Sequence, residues 1–103
     1  MTYALRFLPR VEMDVVNGRL WYERKSVGLG EEFLRVFYAR AQELTRNPLA
    51  YQRVHREIRR CLLRRFPYAL YYRVDGNCVV VFGLFHCARD PRKLREELGD
   101  RQP

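Results

Sequence analysis

Residues 58–85 read IRRCLLRRFPYALYYRVDGNCVVVFGLF, and this stretch decides the fold. Three runs rich in β-branched and aromatic side chains, Ile58 to Arg65, Tyr68 to Val74 and Cys78 to Phe85, are separated by Phe66-Pro67 and by Asp75-Gly76-Asn77. Such side chains suit a pleated, half-buried surface, and turn residues interrupt it. Asp-Gly between two such runs is a strong hairpin signal, because glycine tolerates positive φ. The run CVVVFGLF has no polar partner positions, which predicts a strand buried on both faces and therefore central in its sheet.

The residues before this meander change period. Phe33, Phe37, Ala41 and Leu44 repeat at helical spacing, with Glu31 and Glu32 at one end and Arg46 at the other, so a helix is predicted from about Glu31 to Arg46. Asn47-Pro48 ends it, and Leu49 to Glu57 reads as an irregular connection. A first helix is predicted from about Arg10 to Lys25, with Val11, Val15 and Tyr22 on one face. Ser26-Val27-Gly28-Leu29-Gly30 joins the two as a tight helical hairpin. Tyr3 to Leu8 is a short strand stopped by Pro9. A short helix follows the meander near Arg92 to Leu98, with Asp90 as N-cap and Pro91 as its first residue. The expected class is α+β: an N-terminal strand, a helical hairpin, a three-strand antiparallel meander completing a four-stranded sheet, and a short C-terminal helix. Residues 1–98 form one domain in this reading, and residues 99–103 a flexible tail.

Composition narrows the function classes. With 103 residues the chain has room for one core, and 48% apolar residues are enough to fill it. No apolar run approaches the roughly 20 residues of a membrane helix, and the first ten residues lack the apolar centre of a secretion signal, so a cytoplasmic protein is expected. Cys61, Cys78 and Cys87 show no paired spacing and are expected to be reduced thiols. No phosphate-binding loop, nucleophile elbow or zinc-protease motif occurs. Cys61, His86 and Cys87 are three possible metal ligands from separate elements, too thin a set to predict a metal, and no cofactor is expected.

Charge is the informative property. The net charge is +8, and 18 of the 20 basic residues are arginine. Arg53 to Arg73 holds seven arginines against the single Glu57, which is six of the eight net charges. A local excess of guanidinium groups suits a polyanion or an acidic protein partner. Strand alternation places Arg60 and Arg64 on one face and Arg59 and Arg65 on the other, with Arg73 and Arg89 able to join them. Tyr68, Tyr71 and Tyr72 are interleaved, and because Tyr71 and Tyr72 point oppositely, one of them belongs to the core. His86 is the nominated acid or base, being the histidine nearest the sheet in this reading.

The segments LWYERKSVGLGEEFL (20–34), NPLAY (47–51), RRCLLRRFPYALYYRV (59–74) and VVVFGLFHCARDP (79–91) closely resemble the RelE/ParE superfamily of type II toxin-antitoxin toxins, over nearly the whole span from Tyr3 to Leu98. The WYE, GLG, RRFPY and RDP signatures are most similar to the ParE-like, plasmid-stabilisation branch. The resemblance implies a growth-inhibiting toxin that acts on DNA gyrase. The alternative it implies is a ribosome-dependent, metal-independent mRNA endonuclease of RelE type, in which Arg60 and Arg64 would stabilise phosphate and His86 serve as acid or base. Arg59, Arg65, Arg73, Arg89 and Tyr71 would then contact target or phosphate. A non-toxic antitoxin-binding module is a further alternative. In each case the implied partner is a cognate antitoxin whose C-terminal segment wraps the toxin, and Tyr22, Phe33 and Phe37 on the helical hairpin are the expected contacts.

Overall fold

A computed structural model describes residues 2–101 of the chain. Its elements run β1 (Ala4–Phe7), α1 (Val11–Lys25), α2 (Leu29–Leu44), a 3-10 turn (Pro48–Ala50), β2 (Arg53–His55), β3 (Ile58–Leu62), β4 (Tyr68–Asp75), β5 (Cys78–His86) and α3 (Pro91–Asp100). The sheet order is β1-β5-β4-β3-β2, with β1 parallel to β5 and the other neighbours antiparallel. The sheet therefore has five strands rather than the four expected. The added strand is β2, which the sequence reading treated as irregular; three residues long, it is too short to show an alternation of its own.

β5 lies between β1 and β4, and Val79 to Phe85 are all buried, as the apolar run requires. β5 carries a bulge against β4: Tyr71 faces Gly83 and Tyr72 faces Val81, leaving Phe82 as the extra residue. The helical hairpin covers one face of the sheet. Phe33, Phe37, Ala41 and Leu44 are at most 1% exposed, so the stripe at helical spacing is core throughout. Gly18 admits the Phe33 ring against α1; a Cβ there would lie 2.6 Å from two ring carbons. Leu98 from α3 is buried as well, in cavities walled by Ile58, Tyr71, Arg73 and Phe82 of the opposite sheet face.

The C-terminal boundary differs from expectation. α3 continues past Leu98 to Asp100, and Arg101 is buried against Asp14 and Glu97, where a flexible tail was expected from residue 99. The last two residues of that tail, 102–103, lie outside the described residues. A buried arginine gives no apolar signal in sequence, which is why periodicity stops short of it. Among the described residues, no helix is long and apolar enough to cross a membrane.

Candidate functional site

The strand alternation in β3 sorts the arginines. Arg59 and Cys61 lie on the hairpin face, paired with Tyr72 and Leu70, whereas Arg60 shares the opposite face with Tyr71. Arg59 is structural: its guanidinium donates to the carbonyls of Leu49 (3.3 Å) and Tyr51 (2.6 Å). The Tyr72 hydroxyl donates to the Pro48 carbonyl at 2.6 Å, so these two side chains pin the connection after α2 onto the sheet. Burial pushes the Tyr72 phenol far up, which keeps it a donor.

Arg64 and Arg65 leave the strand pattern. β3 ends at Leu62, and Arg65 adopts φ +71°, a left-handed turn conformation. Arg64 then pairs with Glu43 (3.0 Å) and Arg65 with Glu32, both carboxylates of α2. Arg40 extends this link, donating to the Leu62 carbonyl at 2.8 Å and to Glu43 at 3.1 Å. The expected grouping of Arg60 with Arg64 is therefore not what the fold makes: the first lies on the α3 side of the sheet and the second against α2.

His86 is placed apart from both. It sits at the end of β5 opposite Tyr68, whose ring lies 5.2 Å away, and its Nδ1 accepts from the Ala88 N–H at 3.0 Å. The cavity it borders is formed with Asp14, Trp21 and Tyr68, not with Arg60. Cys61 does not join His86 and Cys87: among the described residues no group of three histidines, cysteines or acidic residues is placed to hold a metal. Burial raises the Cys61 thiol, which faces Tyr51 and Arg40 on the hairpin side.

What the fold does assemble is a basic cavity under α3. Arg60 of β3, Tyr71 of β4 and Arg89 after β5 line it together with His55 of β2, Cys87 and Arg95 of α3. Tyr71 is 2% exposed; burial raises its pKa, while the neighbouring Arg60 acts in the opposite sense. Arg73 lies in the adjoining cleft, over the Phe82 ring and paired with Asp75. His55 and Arg95 were missed in sequence. Arg95 was accessible to reasoning, since Leu94 and Leu98 make an i, i+4 stripe and Arg95 flanks it. His55 on a three-residue strand offered no such signal.

The hairpin residues expected to meet an antitoxin are interior. Tyr22 is 9% exposed, Phe33 0% and Phe37 1%, and their rings pack with Phe66, Tyr68 and Phe7. They cannot be an open docking surface, because the same stripe that marks a helix face also marks its core side. An open apolar surface lies elsewhere: a groove of about 460 Å³ where β1 meets α1 and α2, lined by Leu8, Val11, Val15, Val16, Leu34 and Tyr38 among others. Tyr38 is 52% exposed there.

The motifs noted in sequence are joints of this architecture. Glu23 accepts from the N–H groups of Gly28 (3.0 Å) and Gly30 (2.9 Å), tying the end of α1 to the start of α2. Those two bonds, Gly28 first, hold its carboxyl below the usual carboxylate range. Gly28 has φ +90°, and at Gly30 a Cβ would lie 2.7 Å from the Arg19 carbonyl oxygen. Asp90 caps α3 by accepting from the Arg92 N–H at 2.9 Å, with Pro91 in the first helical turn.

Known proteins match this arrangement. A chain of the chromosomal ParDE TA system from P. aeruginosa is similar in structure with a TM-score of 0.69 at 14% identity, covering 82% of this chain and 96% of that one. A mutant of the E. coli toxin RelE in the free state gives 0.64 at 18% identity with both chains fully covered. A chain of the RelBE2 toxin-antitoxin complex of Mycobacterium tuberculosis gives 0.57 at 23% identity, covering 84% of this chain and 99% of that one. At these identities the likeness is one of fold. No curated protein matches in sequence. The family model for the ParE toxin of the type II toxin-antitoxin system parDE matches residues 5–91, from β1 to the first residue of α3, and the chain belongs to that family.

Proposed function

We propose that this toxin arrests growth by docking on DNA gyrase rather than by cutting RNA. The observation that carries the reading is the dispersal of Arg60, Arg64 and His86: the first faces α3, the second is held by Glu43, and the third leans on Tyr68. General acid–base chemistry needs its groups within hydrogen-bond reach of the same reacting atoms. A gyrase inhibitor needs a complementary surface and no proton donor. The test is the purified protein in a gyrase supercoiling assay, beside primer extension on a reporter mRNA after induction. Supercoiling inhibition without mRNA cuts is expected; ribosome-dependent cuts with normal supercoiling would overturn the reading.

The cognate antitoxin is proposed to lay an amphipathic segment into the groove between β1, α1 and α2. The groove is apolar at its base, where Leu8, Val11 and Val15 are buried, and is flanked by Glu12 and Arg19. An apolar floor with charged margins is what an amphipathic helix in a groove requires. Co-expression with the neighbouring antitoxin gene is expected to restore growth.

A further inference from the structure

α1 is apolar on two sides. Val11, Val15, Gly18 and Tyr22 recur at helical spacing and are buried, packing toward α2 and β5. Met13, Leu20 and Trp21, about two helical turns apart, form a second stripe, and Val27 follows in the turn after the helix. This stripe faces solvent: Met13 is 63% exposed, Leu20 39%, Trp21 50% and Val27 94%. These four are half of the eight large apolar side chains left exposed among the described residues, gathered on one helix and its turn. Single exposed apolar residues need no explanation, but a gathered patch marks an interaction site. Within the WYE motif, Tyr22 belongs to the core and Glu23 ties the hairpin together, which leaves Trp21, edge-on to Tyr22, turned outward.

The margin of the stripe is cationic. Arg10, Arg24 and Lys25 are exposed, each one helical turn from Met13, Leu20 or Trp21, and the Lys25 Nζ lies 4.6 Å from the centre of the Trp21 ring. Among the described residues none of the three has a carboxylate within ion-pair distance. The carboxylates of α1 are turned elsewhere: Glu23 accepts from Gly28 and Gly30, Asp14 is held by Arg101, and Glu12 borders the groove with β1 and α2. Unpaired cations around an apolar centre complement an acidic protein surface that presents apolar side chains of its own. Tryptophan, methionine and arginine are the residue types enriched at such contacts. A nucleic acid fits less well, since Met13, Leu20 and Val27 offer no ring for a base and Lys25 already covers the Trp21 ring.

We propose that the outer face of α1, centred on Trp21, is the surface with which the toxin docks on an acidic, partly apolar protein surface of its target. The partner rests on the gyrase reading above, and the face is separate from the groove assigned to the antitoxin. The experiment titrates the purified protein into a gyrase supercoiling assay and, separately, into the antitoxin by calorimetry. Wild type is compared with Leu20→Gln/Trp21→Gln, with Arg24→Glu and with a control, Leu49→Gln/Leu62→Gln, which removes two exposed apolar side chains outside α1. Thermal unfolding midpoints are measured first, and Met13→Gln replaces the α1 glutamine pair if that variant is unfolded. Both face variants are expected to need roughly tenfold more protein for half inhibition, as the loss of an interface hot spot does. The control and every antitoxin affinity should stay at the wild-type value. Face variants that inhibit like the wild type would overturn the inference and leave the gyrase reading intact, as would an equal loss in the control. Loss of antitoxin binding in the face variants would also overturn it, by giving the face to the antitoxin. A wild type that leaves supercoiling untouched would instead refute the gyrase reading, and this partner with it. Anisotropy of a labelled DNA duplex without gyrase closes the nucleic-acid route: binding shown by the wild type and lost in the face variants would refute a protein partner.

Discussion

Asp14 and Arg101, 87 residues apart in the chain, form a two-pronged ion pair at the open edge of β5, with contacts of 2.5 and 3.0 Å. β1 ends at Phe7 opposite Val81, so beyond that point this edge of β5 has no strand beside it. The pair substitutes for one: Asp14 accepts from the Leu84 N–H at 3.1 Å, and Arg101 donates to the Phe82 carbonyl at 2.9 Å. Gly83 makes room, since a Cβ there would lie 2.8 Å from the guanidinium. An uncovered strand edge is an aggregation hazard, and here it is closed by side chains.

Arg101→Ala is accordingly expected to destabilise the fold by up to about 3–5 kcal/mol, because it leaves the largely buried Asp14 carboxylate without its partner. Replacing both residues by apolar ones, Asp14→Leu/Arg101→Met, should cost less than the sum of the two single changes. Urea denaturation of the four proteins checks this, and additivity would refute the coupling.

Gly30→Ala should cost about 1–3 kcal/mol, the usual penalty of forcing a methyl group into a filled space, since the Arg19 carbonyl is backbone and cannot swing away. Glu23 gives a pH signature at the same joint. Its carboxyl is lowered in the folded state, so the stability it contributes is present above the ordinary value of 4.5 and is lost as pH falls through the lowered value. The stability gap between wild type and Glu23→Gln should therefore close on acidification below that range. A gap independent of pH would contradict the assignment.

Phe33→Ala and Tyr38→Ala should separate stability from partner binding. Phe33 is fully buried, and its truncation is expected to cost about 3–5 kcal/mol of stability. Tyr38 stands half-exposed at the groove between β1, α1 and α2, so Tyr38→Ala should leave the unfolding midpoint nearly unchanged while weakening the antitoxin complex. Calorimetric titration with the antitoxin gives the second value. An unaltered affinity would move the antitoxin to another surface.

His86→Ala tests the absence of acid–base chemistry. Loss of a general acid or base slows a reaction by roughly 10²- to 10⁴-fold, whereas a docking toxin loses little. At matched expression the variant is expected to slow growth as the wild type does and to inhibit supercoiling equally. Loss of toxicity together with loss of mRNA cleavage would reverse the proposed function.

The chain's local patterns determined much of the architecture. The Asp75-Gly76 turn depends on one glycine's tolerance of positive φ, the β5 strand on an unbroken apolar run, and the Phe33–Phe37–Ala41–Leu44 stripe on a period of 3.6 residues, all of which neighbours in sequence carry by themselves. The GLG turn and the Asp90-Pro91 helix start were equally legible, because those residues act within a few positions of one another, whereas the bonds from Gly28 and Gly30 to Glu23 came from the structure.

Only the tertiary structure decided what the arginines do. The seven between Arg53 and Arg73 look alike in sequence, yet Arg59 binds carbonyls, Arg64 and Arg65 pair with α2, and Arg60 turns to the cavity under α3. The choice between His55 and His86 beside Arg60 was likewise set by which strand lies next to β3 and where α3 comes to rest. A long, flexible cation takes its role from the nearest carboxylate, carbonyl or open space. For these residues those neighbours arrive from other elements of the fold, so strand alternation alone could not assign them.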